Sequence, residues 1–179
     1  MMFADMWAEL LPIGREDRTG GYRRYSWTEP DAASRGWFAR TATRLGLRTD
    51  CDGNGNLWAW WGRPGDRTAV VAGSHLDSVP DGGAYDGPLG VVSAFAAISR
   101  LRAEGFEPAR PIAVAAFTEE EGARFGVACL GSRLLTGTID PEAARQLRER
   151  HLTKTASEPG LRARWRPRWP GRNRRPRAG

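Results

Sequence analysis

Thr68-Ala69-Val70-Val71-Ala72-Gly73 and Pro111-Ile112-Ala113-Val114-Ala115-Ala116-Phe117-Thr118 are two short, continuous apolar runs, and what lies between them decides the fold. Runs of this kind, bounded by turn residues, fit strands covered on both faces. Gly87 to Glu104, between them, carries a helical pattern. Leu89, Val92, Phe95, Ala96, Ile98 (somewhat off-axis), Ser99 and Leu101-Arg102 keep one stripe, and Gly105 closes it. Strand, long loop, helix and strand make a βαβ unit, so an α/β fold with a mostly parallel sheet flanked by helices is expected.

Upstream, Leu57-Trp58-Ala59-Trp60-Trp61 reads as an aromatic strand. Its tryptophans suit a half-buried strand face better than a stacking platform for bases or sugars. Asp52-Gly53-Asn54-Gly55-Asn56 before it is a turn, since Asn and Gly tolerate positive φ. It lacks the strand–turn–helix setting of a dinucleotide fingerprint. Thr28-Glu29-Pro30-Asp31 opens a helix, with Thr28 as the cap; Ala33, Trp37, Phe38, Thr41 and Leu45 form its inner face, and Gly46 stops it. The first 27 residues read as loop, or as a short helix at the very start. Downstream, Gly131 to Thr136 and Pro141 to Arg150 read as further helices. Beyond Arg150 no period survives: Arg alternates with Pro, Trp and Gly. Two parts are therefore expected, a folded body over residues 1–150 and a disordered basic tail over 151–179.

The 179 residues carry a formal charge of +6, which by itself suggests a nucleic-acid partner. The distribution removes that reading for the body and leaves nucleic-acid binding through the basic tail only as the least favoured alternative. Residues 1–150 hold 18 Arg against 20 Asp+Glu, net −2, while residues 151–179 hold 8 Arg and Lys154 against Glu158, net +8. At 40% hydrophobic the chain can bury a core. No apolar run approaches the ~18–20 residues of a membrane helix. Asp5 stands where a signal peptide needs a basic region. A cytoplasmic protein is expected, with no nucleic-acid or membrane partner. Cys51 and Cys129 show no ligand or redox spacing and read as unremarkable, buried or half-buried thiols.

Three polar clusters sit where ligands gather in open α/β sheets, beyond the carboxyl ends of strands. Gly73-Ser74-His75-Leu76-Asp77 ends one strand, Tyr85-Asp86-Gly87 precedes the helix, and Thr118-Glu119-Glu120-Glu121 ends the other strand. Three carboxylates crowded at the end of an apolar strand repel unless cations neutralise them. His75 and Asp77 at i, i+2 fit a metal-bound imidazole steadied by a carboxylate. One histidine and several carboxylates, with no thiolate nearby, suit Zn²⁺, Mn²⁺ or Co²⁺. A carboxylate bridging two such ions makes a hydrolytic site, and another not used as ligand can act as general base. No GxSxG is present, so serine-hydrolase chemistry fits poorly.

The segments GSHLDSVPDGGAYDGPLGV (73–91), AFTEEEGARFGVACLGSRLL (116–135) and DGNGNLWAWWG (52–62) resemble the hydantoinase/carbamoylase family of dinuclear metal amidohydrolases. GGYRRYSWT (20–28) is most similar to its allantoate branch. The resemblance spans residues 3–150 and implies a zinc-exopeptidase-like catalytic domain with two divalent metal ions. It implies His75 as terminal ligand of one metal, Asp86 as bridge and Glu121 as terminal ligand of the second. Glu120 is implied as general base and Asp77 as orienter of His75, acting on a ureido or N-carbamoyl small molecule. The family's HIEQG-type segment, its later histidine and its lid and dimerisation domain have no counterpart here; His151 sits in no matching motif. The expectation is therefore an incomplete catalytic domain, truncated or frameshifted near residue 150, with little activity of its own and without the family's homodimer contacts.

Overall fold

Both apolar runs are strands and the stretch between them is a helix, as their patterns require. The computed structural model describes residues 1–65 and 68–149. In chain order come α1 (Phe3–Leu10), α2 (Glu29–Arg44), β1 (Arg48–Cys51), β2 (Leu57–Trp61), β3 (Val70–His75), α3 (Pro88–Ala103), β4 (Ile112–Phe117), α4 (Leu130–Leu135) and α5 (Pro141–Arg145). The expected disordered tail over 151–179, and His151 within it, lie outside the described residues.

The four strands form one sheet in the order β1-β2-β4-β3. β3 and β4 pair in parallel from Val70↔Ile112 to His75↔Phe117, with α3 as their crossover. The α/β architecture is as expected, but the sheet is mixed rather than mostly parallel. β1 and β2 pair antiparallel, as does β2 with β4. For β1 and β2 the reason is local: the Asp52–Asn56 turn is too short for a crossover, so it reverses the chain. β1 had no reading in the sequence, because Arg48-Thr49-Asp50-Cys51 is exposed throughout and has no apolar alternation.

β3 departs from its reading in a second way. It starts at Val70 and lies at the sheet edge, leaving Val70 52% and Val71 48% exposed. Only β4, with Ala113 to Ala116 buried, is the doubly covered strand its composition suggested. Continuous apolar runs do not report the order of strands, and order decides which run is central.

The core lies between one sheet face and helices α1, α2 and α3. Ala59, Val114 and Ala116 of the sheet meet Met6, Leu10, Trp37, Phe38, Val91, Val92, Phe95 and Ile98. Phe95 meets Trp37 and Phe38 edge-on at 6.0 and 5.0 Å, a geometry that adds about 0.5–1.5 kcal/mol per pair beyond the area buried. Ile98 is fully inside, whereas Leu89 faces outward at 42% exposure. In α2 the inner face holds Ser34 rather than Ala33. Thr28 occupies the N-cap position, but its hydroxyl donates backward to Tyr25 C=O at 2.6 Å. Trp58 and Trp60 stack at 5.8 Å on the other face of β2 and remain half-buried.

Candidate metal centre

Parallel neighbours β3 and β4 end side by side, so the segments leaving them emerge at one edge. His75 is the last residue of β3, and Glu119 to Glu121 follow β4 after Thr118. The loop from β3 returns through Asp86 to Gly87, the N-cap of α3, whose φ is +84°. A Cβ at Gly87 would lie 2.5 Å from the His75 ring. Glycine therefore serves both the left-handed turn and the close approach of backbone to imidazole.

His75 Nε2 lies 3.4 Å from Glu120 Oε2 and 3.8 Å from Asp86 Oδ1. Ligand atoms of His75, Glu120 and Glu121 all fall within 4.8 Å of one another, close enough to hold a single cation. Asp86 stands beside this trio, its side chain 64% exposed. Glu121 Oε1 is buried and has no hydrogen-bond partner among the described residues. Burial, then the Asp86 carboxylate, pushes the Glu121 carboxyl above its ordinary value. A buried carboxylate oxygen without a hydrogen-bond partner, beside an imidazole nitrogen and a second carboxylate, is the donor set that a divalent cation of the Zn²⁺, Mn²⁺ or Co²⁺ kind accepts.

Asp77 is buried, and burial raises its carboxyl to about 7. Its oxygens accept the amide N–H of Glu120 at 3.2 Å and of Glu121 at 3.1 Å. The contact nearest His75 Nδ1 is the backbone carbonyl of Asp77 at 3.0 Å; the carboxylate is 3.7 Å away. Asp77 thus bears on the imidazole through its main chain and on the glutamate loop through its side chain. Glu119 turns away from the cluster and is fully buried, with Oε1 accepting the N–H of Arg124 and Phe125 at 2.8 Å each.

Two readings change at this point. A thiol does lie beside the cluster: Cys129 Sγ–H donates to Glu120 Oε1 at 3.3 Å. Cys51 is exposed on β1 rather than half-buried. Ser26 and Asn56, which hold the amides of Glu119 and Thr118, were not singled out as site residues. The DGNGN composition was a signal for Asn56, and Ser26 lies within the GGYRRYSWT segment (20–28), whose pattern does not single it out.

Comparison with known proteins follows the same residues. The description of peptidase family M28 matches residues 56–148, from β2 through α5. The chain belongs to peptidase family M28. Among M28-like relatives, an N-carbamoyl-L-amino acid amidohydrolase of Geobacillus stearothermophilus is 39% identical over 141 residues, covering 77% of this chain and 34% of the relative. A ureidoglycolate hydrolase of Oryza sativa subsp. japonica is 41% identical over 127 residues, covering 70% and 26% respectively. The crystal structure of a hydantoinase/carbamoylase family amidase from Burkholderia ambifaria superposes with a TM-score of 0.77 at 34% identity, covering 82% of this chain and 37% of that one. The resemblance drawn from the three motifs holds, and the family is hydrolytic. This M28 chain spans about a third or less of the length of these curated relatives.

Proposed function

We propose that the chain carries part of the catalytic domain of a metal-dependent hydrolase of linear amide and ureido C–N bonds, of the N-carbamoyl-L-amino acid hydrolase or allantoate amidohydrolase type. The observation that carries this reading is the His75, Glu120 and Glu121 trio at the carboxyl ends of two parallel strands, with Asp86 beside it. The relatives' names share one chemistry, hydrolysis next to a ureido or carbamoyl carbonyl. Residues 20–28 incline the reading toward the allantoate type.

In this proposal His75, Asp86 and Glu121 would hold two divalent ions of Zn, Mn or Co, with His75 and Glu121 as terminal ligands and Asp86 as the shared one. When bound, such ions supply Lewis acidity and lower the pKa of water at the site. Glu120, with its side chain 34% exposed, has the access to water that a proton carrier needs. It takes a proton from the attacking water and returns it to the leaving nitrogen. Asp77 holds the amides of Glu120 and Glu121, which keeps the base and its neighbouring ligand in fixed relation. One imidazole among the described residues is a sparse set for two ions, so weak binding and little turnover by this chain alone are part of the proposal. So is action in the cytoplasm.

The test measures bound metal and hydrolysis by the purified chain. The substrates are an N-carbamoyl-L-amino acid, allantoate, ureidoglycolate, an N-acyl amino acid and a dipeptide. Metal uptake abolished by His75→Ala and Glu121→Ala, with any turnover confined to ureido substrates and lost in Glu120→Gln, supports the proposal. Cleavage of the N-acyl or dipeptide substrates instead favours a peptidase or aminoacylase. Failure to take up metal sinks both.

A further inference from the structure

The turn Asp52–Asn56 has no part in the chemistry above, yet its last residue is completely buried beneath the glutamate loop. The Asn56 side-chain NH₂ donates to Asp52 Oδ2 at 2.9 Å and to Gly131 C=O at 3.1 Å, and its Oδ1 accepts the Thr118 N–H at 3.1 Å. Thr118 is the residue from which the glutamates depart. Past it, the amides of the three glutamates each meet a side chain: Glu119 N–H meets Ser26 Oγ at 3.1 Å, and Glu120 and Glu121 meet Asp77. On the opposite side, the carbonyls of Thr118, Glu119 and Glu120 accept from Gly131, Leu130 and Cys129 at 2.9, 3.1 and 2.6 Å. Of the three clamping side chains, Asn56 is the one that joins the amide of the departing strand to the carbonyl of the returning segment. It therefore braces the junction that the three backbone hydrogen bonds form.

The neighbours are arranged around this role. A Cβ at Gly131 would fall 2.1 Å from Asn56 Oδ1, so the close approach needs glycine there. Asp52 fixes Asn56 in turn, its Oδ1 accepting the N–H of Asn54 at 2.9 Å and of Asn56 at 3.0 Å, while Oδ2 also accepts Trp58 Nε1–H at 3.2 Å. Glu119 sits at φ +52° without being glycine, and such a conformation persists only where the surroundings over-determine it. Groups that orient metal ligands from behind affect metal affinity nearly as strongly as the ligands themselves.

We infer that Asn56 is a positioning residue for the Glu120–Glu121 pair, acting through Thr118 and Gly131. The inference rests on the reading of His75, Asp86 and Glu121 as metal ligands with Glu120 as the base beside them, and one experiment separates the two. In the full chain, amide hydrogen exchange at Glu120 and Glu121 is measured without metal, and Co²⁺ affinity and absorption spectrum are measured with it. The variants are Asn56→Ala and the isosteric Asn56→Asp, with Val92→Ala in the α3 core as a control for general destabilisation. Asn56→Ala is expected to speed exchange at both amides well beyond the control, to weaken Co²⁺ binding by about 10–100-fold and to alter its spectrum. Asn56→Asp, which keeps the acceptor for Thr118 but turns an oxygen toward Gly131 C=O and Asp52, is expected to move the same way; it decides the matter if the alanine variant does not fold. Exchange and spectra no different from those of the control overturn the inference. If the parent takes up no Co²⁺ but exchange at the two glutamates still rises, the metal reading fails and the positioning role stands.

Discussion

Asp77 and Asp31 are both buried carboxylates, and what holds each decides its use. Asp77 divides its oxygens between two backbone amides of the glutamate loop and leaves the imidazole to its own carbonyl. Asp31, in the first turn of α2, accepts the Trp27 N–H at 2.8 Å and stays buried with Arg35 nearby. Burial lifts its carboxyl above the ordinary 3.8. A carboxyl raised in the folded state contributes stability that is complete below its unfolded value and is lost as pH rises through the folded one. Asp31→Asn keeps an acceptor for Trp27 and removes that titration. Its thermal midpoint is therefore expected to hold up better than the parent's on going from about pH 4 to about pH 7. Parallel midpoint curves for parent and variant would contradict it.

At the scale of elements, the contrast between the two parallel strands makes a direct test. Val114 of β4 is fully buried against the helices, whereas Val71 of β3 is about half exposed at the sheet edge. Val114→Ala is expected to cost about 1–3 kcal/mol through lost burial and a cavity. Val71→Ala should stay within about 0.5 kcal/mol. Chemical denaturation of the two variants checks this, and equal losses would mean that β3 is covered in solution. The two runs look alike in sequence because each is continuous and apolar, and only the pairing order distinguishes them. β2 and α3 were legible because their patterns, an aromatic run between turn residues and a stripe at helical spacing, are local. β1 was not legible, since its four exposed residues carry no apolar alternation and are placed by pairing with β2.

For the whole molecule, a cation bound only by the folded chain stabilises it by mass action. Zn²⁺, Mn²⁺ or Co²⁺ at a hundredfold excess over its dissociation constant is expected to add about 2.7 kcal/mol, seen as a raised thermal midpoint that a chelator reverses. His75→Ala should erase that shift. A shift that persists in the variant would place the metal elsewhere. No helix among the described residues is long and apolar enough to cross a membrane. The +8 of residues 151–179 lies outside the described structure, so the charge of the described body is the near-neutral one of residues 1–150.

The sequence by itself determined the family and the identity of the chemical groups. His75, Asp77, Asp86, Glu120 and Glu121 stand in long motifs, and an imidazole with carboxylates at strand ends has few uses. It determined the βαβ unit as well, because hydrophobic period is a property of neighbouring residues. The tertiary structure alone decided which strand is central, which oxygen of Asp77 faces which partner, and that Cys129, Ser26 and Asn56 surround the glutamates. These depend on distances between segments far apart in the chain: Asn56 meets Thr118 across 62 positions and Ser26 meets Glu119 across 93. No local period encodes contacts of that separation; the pairing of β2 with β4 and the packing of segments against the sheet set them.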